Sequence, residues 1–194
     1  MTEVLMSSQI IQTPVSRCRW CNPRNPLYIA YHDSEWGVPC HDDQALFELL
    51  ILESFQAGLS WECVLNKRTA FREVFDGFDR ERIAAYDAEK VAALLADPRI
   101  IRNRLKIRAA IGNAAVFSDI VREFGSFDAY LTGFTDGQIL VEHDKTSNAL
   151  SDRISRDLKR RGMRFVGTTI IYAYLQAIGV INSHEPECFL YHGG

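Results

Sequence analysis

The sequence has no run of about 18 uncharged apolar residues, which excludes a membrane-spanning helix. Its first 16 residues carry Glu3 but neither Lys nor Arg. The basic start of a secretory signal is therefore missing, and a cytoplasmic location is expected. There is no internal repeat and no low-complexity tract. Charge of one sign is lacking too: the net charge is −3, so a globally basic nucleic-acid binder is not indicated. The five cysteines are an odd number scattered over 194 residues, which argues against a disulfide framework and for free thiols or metal ligation.

What is present is an ordinary globular balance, 47% hydrophobic and 24% charged, which excludes disorder for the bulk of the chain. The length suits one domain, expected over 17–194 behind a flexible tail over 1–16, with room for two helical lobes. Helical periodicity dominates, and no alternating run exceeds four or five residues, so the expected class is all-α. Residues 17–41 hold Pro23, Pro26 and Pro39 and read as an irregular, aromatic-rich lead. Asp42 or Asp43 caps a helix through about Ala57, closed by Gly58. Ser60 caps the next, through about Phe75, and Asp79 and Asp87 open two short helices. After Asp97-Pro98 a long helix runs to about Phe124, with Gly125 behind it. Ser126–Leu131 reads as one short turn and 133–147 as a loop. Asn148 or Ser151 starts a helix that ends at Gly162, with Arg160 and Arg161 complementing its dipole. Thr168 or Thr169 caps a last apolar helix, through about Ile178.

Four groups of residues carry potential chemistry. His184 and Cys188 are four apart and would share one face of a helix. Cys18, Cys21 and His32 lie near the other end of the chain. Two thiolates and two imidazoles from these five would make a structural zinc site tying both ends of the fold together. In 45–61, Leu46, Leu50 and Ala57 share a helical arc and Glu53 falls on its edge. A carboxylate there is salt-bridged, partly exposed, or lining a pocket, since burying it unpaired costs several kcal/mol. Gln56, Gly58, Leu59 and Trp61 follow, suiting either insertion into a base stack or a plain helical corner. The third group is the basic helix, glycine turn and capped helix of 152–178. Its second helix can offer backbone N–H groups to a phosphate beside Arg160, Arg161 and Arg164, or it is a simple hairpin with a solvated face. A second basic run, RIIRNRLKIR, spans 99–108. The fourth group, Trp20, Tyr28, Tyr31 and Trp36, is core packing or the wall of a site for a planar base.

Several stretches occurring in order closely resemble the DNA-3-methyladenine glycosylase I family. They are RCRW (17–20), PLYIAYHDSEWGVP (26–39), LFELLILESFQAGLSW (46–61), IIRNRLKIRAAIGNA (100–114) and KRRGMRFVGTTIIYAYLQAIGVINSH (159–184). The resemblance implies an all-α fold of the helix-hairpin-helix DNA glycosylase superfamily. It implies hydrolysis of the N-glycosidic bond of 3-methyladenine in alkylated double-stranded DNA, as base excision repair. It also implies structural Zn2+ on Cys18, His32, His184 and Cys188, with Cys21 as the rival ligand. Tyr31, Glu53 and Trp61 become the base pocket, with Glu53 as the catalytic candidate. Gln56, Gly58 and Leu59 become the element entering the duplex, and Arg164, Gly167 and Thr168 the backbone grip. Many helix-hairpin-helix glycosylases carry an Asp shortly after the hairpin's second helix, whereas 180–187 here reads VINSHEPE.

A base inside a duplex is out of reach, so it must be flipped out. 3-Methyladenine in DNA is cationic and leaves as a neutral base, so little acid catalysis is needed. No lysine nucleophile stands out and no lyase activity is expected. No obligate protein partner is expected either. The residues by themselves also allow a zinc-stapled DNA-binding module without catalysis, or a helical enzyme acting on a free nucleoside.

Overall fold

Side-chain caps decide where most of the helices begin. In the computed structural model, which describes residues 15–191, Asn25 caps α1 (Pro26–Ser34) and Asp42 caps α2 (Asp43–Gln56). Ser60 opens α3 (Trp61–Leu65), and α4 (Arg68–Val74) follows. A single 3-10 turn (Asp76–Phe78) leads to α5 (Arg80–Ala84), capped by Asp79, and α6 (Ala88–Ala96), capped by Asp87. Asn103 caps the long α7 (Arg104–Phe124), and Ser126 caps α8 (Phe127–Thr135). Asn148 and Ser151 form a reciprocal capping box on α9 (Ala149–Arg160). Gly167 precedes α10 (Thr168–Ala177). Two short strands, β1 (Leu140–Val141) and β2 (Ile181–Asn182), pair in parallel with Leu140 opposite Ile181.

The architecture is mostly helical, and several local expectations are corrected. The lead 17–41 contains α1, because Asn25 and Pro26 supply a helix start that weak amphipathicity conceals. The segment from Ser60 to Phe75 is two helices, broken at Asn66–Lys67. The supposed turn 126–131 is most of α8, which continues because Tyr130 and Phe134 stack one helical turn apart, 5.2 Å between centroids. The supposed loop 133–147 therefore starts inside a helix and also holds β1. Thr168 is the first helical residue rather than a cap, and its hydroxyl bonds Ser151 Oγ at 2.8 Å. The tail assigned to 1–16 lies almost wholly outside the described residues, as do 192–194. Among the described residues no helix is long and apolar enough to cross a membrane.

Helix α2 is the axis of the core. Leu46, Phe47, Leu49, Leu50, Ile51, Leu52 and Phe55 are all buried, so the helix is covered on every side. It packs against α3, α7, α8 and α10. Phe55 stacks edge-on with Phe71 at 4.8 Å, and Phe47 with Phe117 at 5.1 Å. Truncating one such buried side chain to Ala typically costs about 2–5 kcal/mol.

The α9–α10 hairpin is held from below. The fully buried Asn113 of α7 donates from Nδ2 to the Arg164 carbonyl and accepts from the Arg164 N–H, both at 2.9 Å. Ser155 Oγ donates to the Val166 carbonyl at 2.7 Å. These bonds hold a turn in which Phe165 adopts φ +56°. Asn113→Ala leaves both backbone groups without their partner and is expected to destabilise the fold by about 2–3 kcal/mol, read by urea denaturation. Unchanged stability in that variant would show that the hairpin holds its shape without the clamp.

Candidate active site

Where α1, α2, α3 and α10 meet, a cavity of about 280 Å³ opens to the surface. Trp20, Tyr28, Tyr31, Trp36 and Trp61 line it, together with Glu53, Gln56 and Gln176. Tyr31 and Trp61 sit 5.3 Å apart between ring centroids, and Trp20 meets Tyr28 at 5.2 Å and Trp36 at 4.8 Å. The aromatic cluster read from the lead segment is therefore one wall of a pocket. Glu53 does not sit on a half-exposed helix edge. With α2 covered on every side, the residue is 3% exposed and lines this cavity.

Glu53 Oε2 has no hydrogen-bond partner, and neither has Trp61 Nε1. Unpaired buried polar atoms are uncommon, and two facing one cavity suit a ligand that satisfies both. Burial alone pushes the Glu53 carboxyl up to about 8. Burial, then the Glu53 charge, holds the Tyr31 hydroxyl well above its usual range. Burial thus favours the protonated form of Glu53, and a cation entering the cavity would draw the carboxyl toward its charged form.

Behind the aromatic wall lies a second cluster. Cys18, His32, His184 and Cys188 are all buried, and their ligating atoms lie within 4.8 Å of one another. Cys18 Sγ is 3.6 Å from His184 Nδ1, and Cys188 Sγ is 3.5 Å from His32 Nε2 and 3.6 Å from His184 Nδ1. This group could hold a metal ion. His184 and Cys188 come together through turns, not along a helix face. Cys21, the rival, turns away and points its thiol at the Tyr28 carbonyl, 3.7 Å distant. Asp33 accepts from His32 Nδ1 at 2.8 Å, and Arg17 grips that carboxylate at 2.6–2.7 Å. The Arg17 hydrogen bond holds Asp33 below the usual carboxylate range. An ionised Asp33 only accepts, so the His32 proton is on Nδ1 and Nε2 faces the cluster with its lone pair. Burial pushes the Cys18 thiol up to about 12, so a thiolate there needs a cation beside it. Gly37 makes room for the cluster: a Cβ there would lie 2.9 Å from His184 Nε2. Trp36 meets the His184 ring edge-on at 4.7 Å, which ties the pocket wall to the cluster.

The elements expected to touch DNA lie on the surface. Leu59 is 42% exposed, just past Gly58, whose φ of +80° makes the turn out of α2. Arg164 is exposed, while Gly167 and Thr168 are half-buried at the start of α10, where no side chain caps the first N–H groups. The basic runs are only partly available. Arg161 is bound to Asp157 and Glu123, Arg160 to Asp157, and Arg99 to Asp97 and Glu73. Arg102, Arg104, Arg108, Arg156 and Lys159 remain exposed. Lys106, which charge counting places on the basic face, is instead buried. Its Nζ donates to the Phe55 carbonyl at 2.8 Å and the Ala57 carbonyl at 2.6 Å, completing the C-terminal end of α2. No sequence signal distinguished it from its basic neighbours. His143 and Ser183, which also line the cavity, lie in irregular segments where periodicity is silent.

A family model described as methyladenine glycosylase matches residues 20–191. This chain belongs to that family. It is 44% identical over 185 residues to DNA-3-methyladenine glycosylase 1 of Escherichia coli, covering 92% of this chain and 98% of that protein. It is 36% identical over 179 residues to the DNA-3-methyladenine glycosylase of Haemophilus influenzae, covering 89% and 96%. Among solved structures, a 3-methyladenine DNA glycosylase I crystal structure superposes with a TM-score of 0.87 at 45% identity, over 91% of this chain and all of that one. The Staphylococcus aureus enzyme, solved to show how it recognises 3-methyladenine, gives a TM-score of 0.83 at 32% identity, over 88% and 95%.

The Glu53 carboxyl makes stability depend on pH. In the unfolded chain it ionises near its ordinary 4.5, in the folded chain near 8. Between these values the folded state holds the extra proton, so stability falls as pH rises through this window and levels off above it. Glu53→Gln removes the effect. The variant is expected to gain on the parent by about 1.4 kcal/mol per pH unit at most across that window. Urea denaturation at pH 5, 6.5 and 8 measures it, and a pH-independent difference would contradict the desolvated carboxyl.

Proposed function

We propose that this chain is a DNA-3-methyladenine glycosylase of base excision repair, and that Tyr31, Glu53 and Trp61 receive the flipped base. The observation that carries the assignment of the pocket is the buried, unpartnered Glu53 carboxyl inside an aromatic cavity. An ionised carboxylate there would repel an anionic ligand, and a neutral ligand gains a hydrogen bond but no paired charge. A cationic purine gains a paired charge, hydrogen-bond acceptors for its amino group, and stacking on Tyr31 and Trp61 of about 0.5–2 kcal/mol. 3-Methyladenine in DNA is that ligand. One relative, 32% identical with a TM-score of 0.82, is known in complex with 3-methyladenine.

The chemistry demands little proton transfer. The C–N bond to the base breaks, a water oxygen bonds to the sugar carbon, and the base leaves neutral with one proton released. The enzyme's part is to extract the base, select the cation and stabilise positive charge passing from base to sugar. An ionised Glu53 serves the last two tasks. Gln56, Gly58 and Leu59 form the element that enters the duplex, with Leu59 exposed to occupy the space left by the flipped base. Arg164 and the uncapped N–H groups beyond Gly167 and Thr168 grip the phosphates. The substrate is alkylated duplex DNA, the site of action is cytoplasmic, and no further protein is needed.

Zinc is the metal we assign to the Cys/His cluster. Tetrahedral zinc with Zn–S of about 2.3 Å and Zn–N of about 2.0–2.1 Å has S···N edges of about 3.6 Å. The corresponding separations here are 3.5–3.6 Å. Cys18, His32, His184 and Cys188 would fill all four positions, so the ion would be structural and leave none for substrate.

Base release from methylated duplex DNA, followed by chromatography, tests the activity. The expected result is free 3-methyladenine with little 7-methylguanine, and loss of at least tenfold in kcat/KM for Glu53→Ala with the fold retained. No release in spite of tight DNA binding would leave a binding module as the better reading. For the metal, elemental analysis should find one zinc per chain. Cys188→Ser should lower Tm well before it alters excision measured at low temperature. Zinc-free protein with an unchanged Tm would remove the metal from this account.

A further inference from the structure

The described residues contain five buried side-chain polar atoms without a hydrogen-bond partner, and four of them belong to residues lining the same cavity. Glu53 Oε2 and Trp61 Nε1 are accounted for by the base. His143 Nδ1 and Ser183 Oγ are not. Ser183 has only the Tyr172 hydroxyl beside it, which itself bonds Glu142 at 3.3 Å, so the Ser183 oxygen keeps capacity to accept from a ligand.

A structural device brings these two residues together from positions forty apart in sequence. Strand β1 ends at Val141 and β2 at Asn182, and these two residues are paired in the ladder. The ladder is extended by the Glu142 N–H donating to the Asn182 carbonyl at 3.1 Å. Ser183 directly follows Asn182 and His143 follows Glu142, so the parallel pair brings the two segments that carry them to the same cavity. Ile181 anchors the ladder in the core, and the ladder in turn places the loops that leave it.

The two sit at a different depth from the base-binding groups. Tyr31, Glu53 and Trp61 are each at least nine-tenths buried. His143 and Ser183 are only half-buried, and their neighbours Asp144, Pro186 and Glu187 are exposed, so this is the rim. A flipped nucleotide enters base first, and its sugar stays behind, tethered to the strand. The rim carries Asp144, Glu185 and Glu187 against one cation, Arg19, which Glu185 already binds, so an uncharged hydroxyl-bearing group such as the sugar suits this wall better than a phosphate.

We propose that His143 and Ser183 form a second recognition wall that hydrogen-bonds the deoxyribose of the flipped nucleotide, including the sugar hydroxyl created when the base departs. This rests on the base lying in the Tyr31–Glu53–Trp61 pocket. The wall takes up the sugar where the segment after α10 carries no Asp.

The test separates sugar from base. Affinities are measured for a duplex holding an abasic site and, separately, for free 3-methyladenine, with metal content checked because Ser183 adjoins His184. His143→Leu and Ser183→Ala are each expected to weaken abasic-duplex binding about three- to tenfold and the pair more. Free-base affinity should stay within twofold of the parent. His143→Asn, which places a polar atom near the position of Nδ1, should recover most of the loss. Unchanged abasic binding in both single variants overturns the proposal, and so does a parallel loss of free-base affinity. Trp61→Ala is the control: it removes the stacking partner of Tyr31 and should lose free-base binding. If it does not, the base lies elsewhere and the pocket assignment falls together with the wall.

Discussion

A carboxyl group held away from water in the middle of the most buried helix is the constraint on which this structure turns. Glu53 would be expelled from any loosely packed interior, because water would enter to solvate it or the helix would rotate to release it. Here α2 cannot rotate: apolar side chains cover it on every side, and Lys106 fastens its last carbonyls. The packing that gives the fold its core is thus also what keeps the carboxyl charge-sensitive. In the proposed pocket, preference for a cationic base would come from that desolvation more than from any particular contact.

The aromatic wall beside Glu53 has its own support. Trp36 stands between the pocket and the Cys/His cluster, with one edge contact to His184 and another to Trp20. The cluster joins residues 166 apart in sequence and fixes the ends of the chain against each other. A structural ion there would act on the reaction only through the rigidity of the wall. The Arg17–Asp33–His32 relay shows the same economy, since it sets one imidazole's tautomer with groups that never approach substrate.

Much of this was legible in the sequence, for identifiable reasons. Asp42, Ser60, Asp79, Asp87 and Asn148 each announced a helix start, because capping is local chemistry. Glu53, Tyr31 and Trp61 entered through the ordered family motifs, and the structure brings them to one cavity. Other features were hidden where the deciding interaction is nonlocal. Helix α1 shows little amphipathic signal, so periodicity passed over it. Lys106 looked like one more basic surface residue until the end of α2 was seen beneath it. Arg160 and Arg161 read as cations for DNA, but Asp157 and Glu123 take them up within the protein. His143 and Ser183 depend on a ladder of two-residue strands, too short to leave a periodic trace.

Lys106 has a further consequence. Its ammonium group fastens the carbonyls just before Gly58 and Leu59, and it also lies 6.0 Å from the ring of Phe165, in the turn of the hairpin. One ammonium group therefore stands between the corner that follows α2 and the turn of the hairpin, so the two segments proposed to meet DNA share a support instead of being separate loops.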